Sequence, residues 1–151
     1  MILNANSEYK WLLPVPGFFH IEMHMQQCIW RFAGEWFLSP LAVENGRSTV
    51  KFKKDKSGEF RTTDRFLEVL LEAVLVWVKP IKLDSGADTI NKFMSLVKKN
   101  KPLYEFMWVM TRLVSPYVHF RLLIRQGEIV KAKDHLKYWF QLFYSAHKVS
   151  C

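Results

Sequence analysis

The chain has 151 residues, of which half are hydrophobic and 15% are aromatic. This length suits one domain, and the apolar content excludes a wholly disordered chain. Lysine and arginine number 22 against 14 acidic residues, so the formal charge is +8. Such an excess favours polyanionic partners and says nothing about the fold.

The cysteine count and the apolar runs exclude two further classes of protein. Cys28 and Cys151 cannot by themselves form a disulfide framework or a zinc site, so we expect an intracellular, reducing location. Cys28 lies in an apolar periodic pattern and is predicted to be buried. The densest apolar run, residues 69–78, contains Glu72 and is half the roughly 20 residues that a bilayer span needs. Neither a membrane span nor a secretory signal is predicted.

The first third of the chain predicts an extended segment, a helix and a basic connection. Residues 9–15 end among prolines and favour a short extended segment. Apolar residues then recur every three or four positions over 18–37, which predicts a helix of about five turns with Pro40 as its stop signal. Residues 39–61 contain turn-forming and lysine-rich stretches, so we expect a basic loop or a small hairpin there. The predicted buried stripe of the helix is Phe18, Ile21, Met25, Cys28, Ile29, Phe32, Ala33 and Trp36.

Two helices are predicted in the middle of the chain. The first has Thr62 or Thr63 as its N-cap and reaches about Val78. The second begins at Asp84 or Ser85 and ends in three lysines, which suit the negative end of a helix dipole.

The last third predicts two or three more helices. Pro102 fits a first helical turn. Ser115 and Pro116 either interrupt this helix or begin a separate one that reaches Gln126. Gly127 is a plausible terminator before the last helix. The predicted apolar face of that helix is Ile129, Ala132, Leu136, Trp139, Phe140 and Phe143. The sequence therefore predicts a mainly α fold, with five to six helices in a single helical domain over residues 1–151 that could belong to a larger protein.

Two histidines and a glutamate follow the Pro/Gly-rich entry to the first helix. On a strand, His20, Glu22 and His24 would share a face and could ligate a metal. On a helix, the histidines share one face and Glu22 points nearly opposite. The zinc-protease signature requires glutamate directly after the first histidine, where this chain has Ile21. The helical pattern downstream favours the second geometry, so no metal site is predicted.

Motifs for catalysis are missing from the sequence. It contains no Gly-x-Ser-x-Gly, no Gly-rich phosphate loop and no Cys/His pair at telling spacing. Asp64, Asp84 and Asp88 are interpreted as helix caps. We therefore predict no catalytic residue and no cofactor.

Basic segments are the strongest indication of a binding function. Residues 47–65 contain seven cations and three anions, and residues 98–148 contain ten cations and three anions. Phosphate contacts need such cations, although they also occur on ordinary solvated surfaces. The predicted nucleic-acid-binding residues are Lys51, Lys53, Lys54, Lys56, Lys98, Lys99 and Lys101. Four aromatic residues are candidates for base stacking or for the core: Trp108, Tyr138, Trp139 and Tyr144.

The run Leu12-Leu13-Pro14-Val15-Pro16-Gly17-Phe18-Phe19-His20 resembles a step in transposases with an RNase H-like core. There a strand runs into a Cys/Gly-x-x-His turn, and a helix leads on into a helical insertion. Gly17, Phe18, Phe19, His20 and Met23 match the Gly-x-Phe-His version in transposon-derived domains of unknown function. His24 departs from the asparagine that is often found there, and residues 139–147 look like the end of the insertion.

The resemblance implies a piece without a complete active site. Family catalysis uses acidic residues that hold two divalent metals, and these come from core strands largely outside this sequence. The resemblance therefore implies that this piece contacts DNA or has a packing role, and that the protein is nuclear.

Three hypotheses follow. The first is a non-enzymatic, transposase-derived helical domain that contacts nucleic acid. The second is a helical protein-interaction module, which could be a homodimer, and the third is a metal-dependent enzyme that uses His20 and His24.

Overall fold

The computed structural model describes residues 17–45, 60–79 and 94–148. Its helices are α1 (Phe18–Ala33), α2 (Ser39–Glu44), α3 (Phe60–Val78), α4 (Lys101–Val109), α5 (Ser115–Arg125) and α6 (Ile129–Lys148). A π turn at Gly34–Leu38 joins α1 to α2, a second at Met110–Val114 joins α4 to α5, and residues 94–97 form one further helical turn. The fold is mainly α, as predicted. The expected extended segment at 9–15, the loop or hairpin beyond Asn45 and the start of the helix near Asp84 lie outside the described residues.

The core lies where α1, α5 and α6 pack together, and α3 closes one side against α1 and α5. Its largest fully buried side chains include Trp139, Tyr117, Phe120, Met25 and Ile29. Cys28 is buried in the same core, as predicted, and burial raises its pKa to about 12. Many of the aromatic side chains thus lie in the core or pack against it.

Pro40 does not stop the first helix, contrary to the prediction. The chain leaves α1 through the first π turn, in which the Ser39 N–H donates to the Gly34 carbonyl five residues earlier. Pro40 then occupies the first turn of α2, where a missing N–H removes no bond that the helix needs. Residues 39–44 are consequently helical, and the predicted loop cannot begin at residue 39.

The pair Ser115 and Pro116 repeats this arrangement. The Ser115 N–H donates to the Met110 carbonyl, again five residues earlier, and Pro116 lies in the first turn of α5. Val114 is the N-cap of this helix, so the N-cap interpretation of Ser115 is wrong, whereas proline in the first turn and an end at Gln126 are as that alternative predicted. The α-helical ladder is interrupted, as one alternative predicted, but the helix continues to Arg125.

The first π turn also explains an error in the predicted stripe. A π turn inserts one residue into the helical ladder, which rotates all later positions by about 100°. Trp36 was expected in the core and is instead 52% exposed, whereas Leu38 is fully buried.

The start of α3 differs from the prediction. Phe60 is already helical and buried, and its ring packs edge-on against Phe19 at a centroid distance of 4.8 Å. Thr62 and Thr63 both lie inside the helix, after Phe60, so neither is its N-cap. The end of the helix at Val78 is as predicted.

Features near the other helix ends agree with the sequence. Pro102 lies in the first turn of α4, preceded by Asn100, whose side chain accepts a hydrogen bond from the Leu103 N–H at 3.2 Å. Gly127 has φ of +74°, the left-handed conformation that favours glycine, and separates α5 from α6. Within the described ranges no helix is long and apolar enough to cross a membrane.

Candidate functional site

Three of the seven predicted nucleic-acid-binding lysines form an exposed turn before α4. Lys98 and Lys99 lie in the turn itself, and Lys101 is the first residue of α4, with a side chain that is 86% exposed. We call Lys98, Lys99 and Lys101 the lysine turn. The other predicted contacts, Lys51, Lys53, Lys54 and Lys56, lie outside the described residues.

The electrostatics of the lysine turn favour an anion. The turn follows the carbonyl end of the helical turn at residues 94–97, which suits cations, but it also adjoins the N-terminus of α4, where the helix dipole disfavours them. Neither Lys98 nor Lys99 forms an ion pair with a carboxylate of the described residues. Lys101 lies 3.9 Å from Glu105, an exposed contact of little strength. A phosphate group would relieve the repulsion at this end of α4.

The two motif histidines share one exposed face of α1, as the helical interpretation predicted. The Nε2 atoms of His20 and His24 are 3.0 Å apart, so one ring donates to the other. Gly17 precedes the helix, and its carbonyl accepts the His20 N–H at 2.8 Å. In the ranges that the structure describes, no three His, Cys, Asp or Glu side chains are grouped to hold a metal ion.

Glu22 faces the opposite way and enters a buried polar cluster that sequence reasoning missed. Arg121 of α5 contacts three carboxylates: Nε is 3.5 Å from Glu22, Nη1 is 3.2 Å from Glu68, and Nη1 also contacts Asp64. Arg125, one turn later, contacts Glu68 at 3.1 Å. The cluster therefore joins α1, α3 and α5, and Asp64 is a buried ion-pair partner and not a helix cap.

Tyr117 extends the cluster toward the core. Its hydroxyl donates to Asp64 at 3.0 Å and accepts from the Gln26 amide at 2.8 Å. Burial raises the pKa of Tyr117 well above its ordinary value, so the hydroxyl stays protonated. The Gln26 amide also donates to the Phe60 carbonyl at 3.3 Å, which ties α1 to the start of α3.

The cost of burial dominates the charges in this cluster. Burial raises the pKa of Glu22, although Arg121 and Arg125 act to lower it. Burial and the neighbouring Arg125 lower the pKa of Arg121, although Glu22 acts to raise it. Both shifts disfavour the charged forms, so removal from water outweighs the attraction of this pair. The ion pairs of the cluster nevertheless connect α1, α3 and α5 to one another.

The sequence did contain a signal for the cluster. Glu22 and Gln26, Asp64 and Glu68, and Arg121 and Arg125 are each four residues apart. Each pair therefore occupies one face of its helix, although the same spacing is also common on solvent-exposed faces.

The four aromatic candidates for base stacking differ in how far their side chains are buried. Trp139 is fully buried, and the hydroxyl of half-buried Tyr138 donates to the Arg112 carbonyl, so both are structural. Trp108 is half-buried on α4. Tyr144 is 65% exposed. Phe140, one turn earlier, was predicted to lie on the buried apolar face and is instead 63% exposed.

Comparison of the chain with protein-family models, with curated proteins and with solved structures finds no match. The transposase resemblance therefore stays a prediction that rests on the motif residues.

Proposed function

We propose that this chain is a non-catalytic, transposase-derived helical domain that binds the phosphate backbone of nucleic acid. The observation that carries the proposal is the lysine turn, where Lys98, Lys99 and Lys101 lie exposed at the positive end of α4. The sequence adds Lys51, Lys53, Lys54 and Lys56 as further contacts. The resemblance to transposases supports DNA as the polymer and the nucleus as the location.

The distribution of acidic residues supports the same function. Three carboxylates are turned toward two arginines in the buried cluster, which has a formal charge of −1. The residues outside the cluster therefore carry a formal charge of +9, which is one more than the +8 of the whole chain. With Glu22 and Asp64 buried, fewer anions remain at the surface to repel a polyanion.

Charge reversal tests where nucleic acid binds. The variant Lys98→Glu/Lys99→Glu is compared with Lys131→Glu/Lys133→Glu, which makes the same change of charge at exposed positions of α6. Fluorescence anisotropy with labelled duplex and single-stranded DNA at low salt measures the affinity. We expect the first variant to bind at least about tenfold more weakly and the control to lose much less, because contacting charges act at short range.

Two results would contradict the proposal. One is an absence of binding by the natural chain at low salt. The other is an equal loss of affinity in both variants, which would mean that net charge acts without a defined contact at the lysine turn.

A second candidate function is self-association through α3. Leu75, Val76 and Trp77 near the end of α3 are 60%, 71% and 51% exposed, and at about 100° per residue they spread apolar side chains over more than half of the helix circumference. A second copy of the chain is the partner we propose, because most soluble oligomers are symmetric homo-oligomers.

Light scattering across a wide concentration range tests this candidate. The natural chain should form a dimer that Val76→Glu converts to a monomer, since a buried unpaired charge opposes association. A monomer at every concentration would exclude it.

A further inference from the structure

An aromatic cleft of about 250 Å³ lies between the first π turn and α4. It is lined by Trp36, Tyr104, Glu105 and Trp108. Three aromatic rings and one carboxylate make up this lining, and none of them belongs to the lysine turn or to the buried polar cluster. The cleft is smaller than the roughly 300–1,000 Å³ of most small-molecule pockets, which suits a compact chemical group.

The π turn is the reason that Trp36 takes part. The extra residue in the turn rotates Trp36 out of the core stripe, and 52% of the residue is exposed. Its indole N–H donates to the Phe32 carbonyl at 2.7 Å, which holds the ring in one orientation. The neighbouring Phe37 packs edge-on against Phe106 of α4 at 5.4 Å and so fixes the turn against that helix. The indole donor is satisfied within the protein, so it needs no acceptor from a ligand in the cleft.

Helical spacing brings the other three residues to the same place. Tyr104 and Trp108 are four residues apart on α4, and Glu105 is three residues before Trp108. Glu105 already lies 3.9 Å from the Lys101 ammonium, but the Lys101 side chain is 86% exposed. Such an exposed pair is weak, so another cation can take its place at little cost.

We propose that this cleft binds a methylated ammonium group. The faces of aromatic rings carry negative electrostatic potential and attract cations, most strongly for tryptophan, and the Glu105 carboxylate adds a formal negative charge. A methylated ammonium group suits the cleft better than a bare one, because the bare group is strongly hydrated and would need hydrogen-bond acceptors that aromatic rings do not provide. The proposal is independent of nucleic-acid binding.

Isothermal titration calorimetry with four probes tests the chemistry of the cleft. The probes are trimethyl-lysine amide, unmodified lysine amide, choline, and the uncharged carbon isostere of choline. We expect trimethyl-lysine amide, choline or both to bind, and the unmodified lysine and the isostere to bind at least about fivefold more weakly. Tighter binding of trimethyl-lysine amide identifies a modified protein side chain as the source, and tighter binding of choline identifies a small molecule or lipid headgroup.

Two variants and a matched control locate the binding. Trp36→Ala removes a ring and is expected to weaken binding about tenfold, and Glu105→Gln removes the carboxylate and is expected to weaken it about threefold or more. Phe140→Ala is the control, because Phe140 is 63% exposed on α6 and does not line the cleft. Equal binding of the isostere, full affinity in Trp36→Ala or no binding of any methylated probe would overturn the proposal.

Discussion

Arg121 is the point at which three carboxylates from two other helices meet, of which Glu22 and Asp64 are buried and Glu68 is partly buried. Its guanidinium group contacts Glu22, Asp64 and Glu68, and it also lies over the Phe60 ring at 5.8 Å. We expect Arg121→Ala to lower the free energy of unfolding by about 3–5 kcal/mol, because it leaves buried carboxylates without their cation. Urea denaturation measures this, with exposed Lys133→Ala as the control. A loss below about 1 kcal/mol would mean that Arg125 and water replace Arg121.

The raised pKa of Glu22 predicts the direction in which the stability of the fold changes with pH. Because its native pKa is raised, its contribution to stability is fully present below the ordinary value of 4.5 and is lost as the pH rises through the native value. Glu22→Gln imitates the protonated form at every pH. We therefore expect the stability of the variant, relative to the natural chain, to increase as the pH rises above 4.5 and then to become constant.

Urea denaturation of both chains between about pH 4 and pH 8 measures the Glu22 effect. A difference that decreases with rising pH would show that attraction to Arg121 outweighs the burial of Glu22.

The two π turns show how a helix passes a Ser-Pro pair without ending. Each turn spans five residues, Gly34–Leu38 and Met110–Val114, and each is followed directly by serine and proline. In an α-helix the proline ring clashes with the carbonyl four residues earlier. The wider π turn just before the proline gives the backbone a different hydrogen-bond register there, with the serine N–H bonded to the carbonyl five residues earlier.

The first π turn leaves no room for a side chain at Gly34. Its φ of −64° suits any residue, but an added Cβ would lie 2.6 Å from the indole of Trp30. We expect Gly34→Ala to destabilise the fold by about 1–3 kcal/mol, because the Trp30 ring or the turn must shift. Gly17→Ala is the matched control, since no atom of the described residues lies within 4 Å of an added Cβ there. Thermal unfolding of both variants measures the difference, and equal midpoints would contradict this account.

Periodicity predicted the helices well and their registers less well. The apolar spacing anticipated α1, α3, α4 and α6. Pro102 fits the first turn of α4 because the N–H groups of a first turn have no acceptor within the helix. The change of register after Ala33 was not visible in the sequence, because Trp36 continues the spacing of Phe32 and Ala33, whereas the structure exposes Trp36 and buries Leu38. Local sequence could not separate a helix that ends from one that adds a residue.

The polar cluster and the aromatic cleft depend on which helices meet. Glu22 was correctly placed opposite His20 and His24, yet nothing local to α1 shows that Arg121, 99 positions later, is its partner. Trp36 reaches the cleft because a π turn rotates it toward α4. Such contacts follow from tertiary packing, which a single sequence does not reveal.

At the scale of the whole molecule, charge is divided between the inside and the surface. The cluster around Arg121 retains three of the 14 acidic residues within the helical packing, and the lysine turn projects from the start of α4. This division supports the proposal of phosphate contact, which the lysine turn carries. If the chain binds nucleic acid as proposed, its affinity depends on salt concentration, because each neutralised phosphate releases counterions.

The salt dependence of DNA binding is the most direct test of this proposal. Duplex affinity is measured by anisotropy from about 50 to 200 mM salt for the natural chain and for Lys98→Gln/Lys99→Gln. If both lysines contact phosphates, the slope of log K against log salt should become less negative by about 1.8 in the variant. An unchanged slope, or no binding at the lowest salt, would contradict the proposed contact at Lys98 and Lys99.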